Sequence, residues 1–117
     1  MSLFKKSAAP MTAQEAVASH AKGEITLVDI REPAEIAASG AATGALRLPL
    51  ASLRMTADPS SPECHEALKS GKPVVLYCAS GGRAGIAKGL LEQMGHSEVH
   101  NIGGLVHWHQ AGGPISQ

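Results

Sequence analysis

Val74 to Gly95, VVLYCASGGRAGIAKGLLEQMG, is the stretch on which the reading of the whole chain turns. Val74, Val75, Leu76 and Tyr77 are strand formers, and the run stops at Cys78. Ala79, Ser80, Gly81 and Gly82 follow, none of them bulky, and then Arg83. From there Ile86, Ala87, Leu90, Leu91 and Met94 recur at helical spacing until Gly95 ends the pattern. The segment therefore predicts a buried strand, a tight loop and an amphipathic helix.

Outward from that unit the alternation continues on both sides. Ile25–Ile30 is a short apolar run with Asp29 near its end, Ala45–Leu48 a shorter one cut by Pro49, and Val99–Ile102 a third. Thr12-Ala13-Gln14-Glu15 fits a capping box, opening a helix with Ala16, Val17 and Ala21 on one face and Gly23 beyond its end. Glu32-Pro33 starts a second helix through Ala38, because proline is tolerated in a first turn. Short helices are expected at Ala51–Met55 and Pro62–Ser70, the latter stopped by Gly71, and Gly103-Gly104 opens a last one carrying Leu105 and Trp108. Strands alternating with helices predict an α/β fold: a small parallel sheet with helices on both faces.

Composition narrows the function class. A chain of 117 residues is one domain, expected over residues 11–117 behind a loosely ordered tail at residues 1–10. With hydrophobic residues at 44% but aromatics at only 3%, the core must be built from Ala, Val, Ile, Leu and Met. Net charge is zero and the longest basic run is Lys5-Lys6, which argues against a nucleic-acid partner. No stretch approaches the roughly 20 apolar residues of a membrane span, and MSLFKKSAAP lacks the apolar run of a signal peptide. The two cysteines, Cys64 and Cys78, do not make a disulfide framework. A cytoplasmic location with free thiols is the expectation.

Ligands of parallel α/β sheets bind beyond the carboxyl ends of the strands, where Cys78 falls. The small residues after it leave their backbone N–H groups uncovered, and Gly81 and Gly82 permit positive φ, so the loop can curl into an anion nest. The following helix points its positive end at the same place, and Arg83 adds a permanent charge. These features should lower the Cys78 thiol pKa and raise its thiolate fraction. A lone cysteine ending a buried strand is ordinarily an inert small hydrophobe; the combination with the loop, Arg83 and the helix favours a nucleophile. Gly82-Arg83 fits no nucleotide fingerprint, since the glycine spacing and the Lys-Ser/Thr pair are missing. Four residues separate Cys78 from Arg83, a tighter loop than a cysteine-dependent phosphatase needs to cradle phosphate, and one that suits a single sulfur.

At these residues the chain resembles the rhodanese-like, single-domain sulfurtransferases. Cys78-Ala79-Ser80-Gly81-Gly82-Arg83 is similar to that family's six-residue active-site loop. Asp29-Ile30-Arg31-Glu32-Pro33-Ala34-Glu35 resembles its Asp-x-Arg-Glu-Pro-x-Glu segment. Asn101-Ile102-Gly103-Gly104, with Trp108 and Gly113-Pro114, resembles its C-terminal signature. Together the matches span roughly residues 12 to 115. Departures are Ala41-Ala42-Thr43, in place of His-Ile-Pro in a loop expected near the site mouth; Ala84, where Ser or Thr is common; and Ala79, where many members carry a basic residue.

The resemblance implies a sulfurtransferase that moves a sulfane sulfur from thiosulfate or a persulfide to a thiophilic acceptor through a Cys78 persulfide. The loop Ala79, Ser80, Gly81, Gly82 and Arg83 would bind the anionic sulfur, with no cofactor. The implied partners are a small sulfur-containing anion or persulfide donor and an acceptor thiol, which includes the thiol of a protein. The alternatives are a non-catalytic persulfide carrier or regulatory module for a protein partner and, against the short loop, a cysteine-dependent phosphatase or arsenate reductase.

Asp29, Arg31 and Glu35 are read as supports, because an acid at a strand end can pair with an arginine and buried charges need partners. Cys64, in an expected helix, is read as a buried thiol rather than a partner of Cys78. His107 and His109 do not share a helix face, and no second Cys/His pair completes a zinc spacing, so no metal is expected. Trp108 is read as a core anchor.

Overall fold

A computed structural model describes residues 10–117; the tail expected at residues 1–10 lies outside the described residues except for Pro10. Strands β1 (Thr26–Asp29), β3 (Leu46–Arg47), β4 (Val74–Cys78) and β5 (Val99–Gly104) form one parallel sheet in the order β3-β1-β4-β5. These are the four strands expected from the sequence. A second, antiparallel pair joins β2 (Ala41–Ala42) to β6 (Ile115–Ser116), too short to leave a periodic signal.

Both faces of the sheet are covered: all five β4 residues are buried, and they alternate between two cores. Val74, Leu76 and Cys78 face one core with Val28, Ile30 and Leu53. Over that core lies helix α4 (Gly82–Gln93), which contributes Ala84, Ala87 and Leu91. Val75 and Tyr77 face the other core with Leu27, Ile102, Ala16 of helix α1 (Ala13–Ala21), and Trp108 of helix α5 (Leu105–Gln110). Trp108 is fully buried, and its Nε1 donates to the Pro114 carbonyl at 2.8 Å. One aromatic thus fills much of an otherwise aliphatic layer.

The capping box of α1 forms as expected, with the Glu15 N–H bonded to Thr12 Oγ1 and the Thr12 N–H to Glu15 Oε1. Helix α2 (Pro33–Ser39) begins at the expected proline. The first short helix is split into a 3-10 turn at Leu50–Ser52 and helix α3 (Leu53–Thr56).

Three expectations fail for physical reasons. Pro62–Ser70 is not an α-helix but a loop leading into a 3-10 turn at Glu66–Lys69. His65 is extended, gives its N–H to the Thr56 carbonyl and accepts the Ala67 N–H on its ring, so the backbone there is satisfied without a helix. Ile86, placed on the buried face of α4, is 61% exposed; the small residues Ala84 and Ala87, with Leu91, carry the contact instead. The Ala41-Ala42-Thr43 segment does not lie at the mouth of the Cys78 loop. Ala42 packs in the core on the sheet face opposite the Cys78 sulfur, donates its N–H to Tyr77 Oη, and is held by β6.

Candidate active site

Cys78 ends β4, and its side chain is almost completely covered. The chain turns back on itself at Gly81, which takes φ +115°. A β-carbon there would strain the backbone and press on Gly103 at 3.2 Å. Gly82, expected to share the positive φ, does not; it is already the first residue of α4.

The turn aims backbone donors at sulfur. The Gly81 N–H reaches Cys78 Sγ at 3.0 Å and the Ala84 N–H at 3.4 Å. Burial pushes the thiol pKa up, but the N–H groups of Ala84, Gly81, Ser80 and Arg83 outweigh it and leave the pKa below that of a free cysteine. The nest expected from small residues and a helix N-terminus is therefore built. Ala84, lacking the hydroxyl common at this place, contributes through its backbone.

Arg83 carries its charge in an ion pair. Its guanidinium makes a two-pronged bond to Glu35, Nη1 to Oε1 at 2.7 Å and Nη2 to Oε2 at 2.8 Å. The ion pair raises the Arg83 pKa, chiefly through Glu35 and less through the Cys78 thiolate. It holds Glu35 at about 2. The cation is thus compensated, and the Arg83 backbone N–H is what adds to the nest. Glu35 is itself fixed by accepting the Glu32 N–H at 2.9 Å.

Asp29 and Arg31 form a buried fork behind the site. Arg31 Nε and Nη2 bond Asp29, and its remaining donors reach Ser39 Oγ and the Gly40 carbonyl. Tyr77 Oη completes the carboxylate's shell at 2.7 Å. Burial and this bond push the phenol pKa up, so Tyr77 remains a donor. Arg31 is paired with Asp29, Ser39 and Gly40 and adds no free charge to the loop. Cys64 is a free, buried thiol whose Sγ lies near the His65 carbonyl. Among the described residues no three His, Cys, Asp or Glu side chains cluster as a metal site, and no helix is long and apolar enough to cross a membrane.

Two residues that sequence reasoning did not single out individually complete the loop. Asn101 Nδ2 donates to the Gly81 carbonyl at 3.0 Å. Gly104 lies so close to the loop that a β-carbon there would collide with the Ala79 carbonyl oxygen. Both fall in the Asn101-Ile102-Gly103-Gly104 signature, whose paired glycines were the available sign of close backbone approach.

A family model for the rhodanese-like domain matches residues 12–111. The chain belongs to the rhodanese-like family. A protein named sulfurtransferase from Allochromatium vinosum is 40% identical over 95 residues, which cover 79% of this chain and 78% of that one. A human single-domain sulfurtransferase superposes with a TM-score of 0.69 at 29% identity, covering 88% of this rhodanese-like chain and 97% of the human one. A Rhodopseudomonas palustris structure, described as a protein of unknown function and possible tyrosine phosphatase, gives a TM-score of 0.82 at 35% identity over 96% and 87% of the two chains.

Proposed function

We propose that this rhodanese-like protein transfers sulfane sulfur through a persulfide on Cys78. The observation that carries the reading is the seat of the sulfur: two backbone N–H groups at 3.0 and 3.4 Å on a thiol that ends a parallel strand. The Cys78 thiolate attacks the outer sulfur of a donor R–S–S⁻. The donor S–S bond breaks and R–S⁻ leaves with its electron pair, as in thiol–disulfide exchange. The loop amides hold the negative terminal sulfur of the resulting Cys78–S–S⁻. An acceptor thiolate then attacks that sulfur, forms its own persulfide and returns Cys78 as thiolate. No net oxidation occurs, and the kinetics are ping-pong. The amides act as an oxyanion hole does, where one donor contributes about 3 kcal/mol toward the transition state; sulfur, a softer acceptor, gains less.

The charge at the mouth supports a donor of low charge. Ala79 is neutral, Ser80 is the one loop side chain with a hydroxyl, and the Arg83 cation is bound to Glu35. A persulfide, with one negative charge, fits this loop better than dianionic thiosulfate. The acceptor is a thiol, of a small molecule or a protein.

The test is mass measurement and turnover. After incubation with glutathione persulfide, intact protein gains one sulfur atom, the Cys78→Ser variant gains none, and cyanide removes the added sulfur. Turnover with cyanide by Cys78→Ser, or an unchanged mass in the parent, would overturn the proposal. Loading without steady turnover marks a persulfide carrier. Hydrolysis of an aryl phosphate that is lost in Cys78→Ser marks a phosphatase instead, the activity suggested by the Rhodopseudomonas neighbour's description.

A further inference from the structure

We propose that Asn101 is a positioning residue for Cys78, holding the Gly81 turn in the conformation that puts its N–H on the sulfur. The inference rests on Cys78 as the reactive group. Asn101 does not touch the sulfur; it acts through the loop.

The register of the sheet brings Asn101 there. Leu76 of β4 pairs with Asn101 of β5, but two residues on Cys78 pairs with Gly104, three residues on from Asn101. The extra β5 residue makes a bulge, with Gly103 at φ +100°. Inside the bulge the Asn101 side chain bonds in two directions. Its Oδ1 accepts the Gly103 N–H at 2.8 Å, and its Nδ2 donates to the Gly81 carbonyl at 3.0 Å. The Gly81 carbonyl also receives the Gly85 N–H at 3.0 Å, the first turn of α4, so both of its lone pairs are used. Gly81 is thereby fixed on its carbonyl side by β5 and α4 together, while its N–H points to Cys78 Sγ at 3.0 Å.

Glycine makes that fixing necessary. Gly81 visits positive and negative φ with similar ease, so nothing intrinsic to the residue holds +115°. A flip of the Gly81 turn would remove one of the donors that lower the thiol pKa. The neighbouring contacts limit where the loop can go but supply no directional bond: Gly103 Cα lies 3.2 Å from a β-carbon built on Gly81, and Gly104 abuts Ala79. Asn101 is the one side chain that hydrogen-bonds the loop backbone from β5 among the described residues. The charged groups around the thiol are Arg83, paired with Glu35, and Glu32 beside that pair. Asn101 is uncharged, so its effect is geometric.

The two halves of Asn101 separate by substitution. In Asn101→Ser the hydroxyl can still accept the N–H two residues on but is too short to reach the Gly81 carbonyl; Asn101→Ala loses both bonds. The readout is the pH profile of Cys78 alkylation by iodoacetamide in a Cys64→Ala background, with folding checked by thermal unfolding. Both variants are expected to alkylate roughly fivefold more slowly below the thiol pKa, the loss of about one ordinary hydrogen bond, with the profile displaced to higher pH. A Leu68→Ala control, in the same core but beside Val74 at the opposite end of β4 from Cys78, is expected to lose stability with no displacement. A profile for Asn101→Ser that superimposes on the parent's, or a displacement in Leu68→Ala as large as that in Asn101→Ser, would overturn the proposal. Alkylation needs no sulfur donor, so this failure is distinguishable from a failure of sulfur transfer.

Discussion

Two arginine–carboxylate pairs differ in both geometry and surroundings: Arg31 grips Asp29 side-on through Nε and Nη2, and Arg83 grips Glu35 end-on through Nη1 and Nη2. In Arg31–Asp29 the side chains are 4% and 0% exposed; in Arg83–Glu35 they are 35% and 36% exposed. The buried carboxylate is fully occupied, taking the Arg31 backbone N–H, the Arg31 guanidinium and the Tyr77 hydroxyl. The exposed pair is open to solvent and close enough to Cys78 for the thiolate to act on the Arg83 charge. Charge taken out of water demands a complete set of partners, whereas charge left in water is screened and free to serve chemistry. One pair is scaffold; in the proposed function the other sets the charge that a sulfur donor meets.

The largest expected difference follows from breaking the buried pair. Arg31→Met keeps much of the side-chain bulk but leaves Asp29 charged and short of its main partner. The expected loss is about 3–5 kcal/mol in urea unfolding, typical of an orphaned buried charge. Glu35→Gln is expected to leave the unfolding midpoint near that of the parent. If Arg31→Met unfolds with the parent, the distinction between scaffold and tunable pair collapses.

A smaller effect sharpens the comparison at the mouth. Glu35→Gln releases the Arg83 guanidinium from its compensating charge, beside a loop with no other cation. Thiosulfate should then become a better donor, its KM falling about fivefold, the scale of one screened charge contact in water. The KM for a singly charged persulfide should move less. Equal changes for both donors would mean that Arg83 does not face the donor.

How far the sequence could be read tracks this same division. The four strands, both layers of helices and the Cys78 loop were legible because short apolar runs, a capping box and crowded small residues are local signals. The Asp29–Arg31 pairing was also legible, since the partners are two residues apart. The Arg83–Glu35 pair was not, because it joins residues 48 apart in sequence and forms only when α2 and α4 meet. Asn101 was hidden for a related reason: its partner Gly81 is 20 residues away, and a bulge puts the side chain in reach. The β2–β6 pair joins segments too short to show periodicity, and an expected helix from Pro62 gave way to the His65 N–H donating to the Thr56 carbonyl and the Ala67 N–H donating to the His65 ring.

The smallest expected effect lies in acid, and its sign is set by Glu35. Pairing with Arg83 holds the folded-state pKa at about 2, below the ordinary glutamate value of roughly 4.3. A depressed carboxylate pKa means that the pair's contribution is complete above the ordinary value and disappears as pH falls through the folded one. The pair should therefore support folding at neutral pH and lose that support between roughly pH 4.3 and 2. Asp58 and Glu15 are also lowered, by bonds to Ser60 and Thr12, so the parent's acid curve alone does not isolate Glu35. The difference between parent and Glu35→Gln does. That difference should be small at neutral pH, because both partners are about a third exposed. It should shrink toward zero across the acid window, and shrink at neutral pH when salt is raised. A difference that grows as pH falls would assign Glu35 the opposite sign and make the exposed pair resemble a strained contact rather than a favourable one.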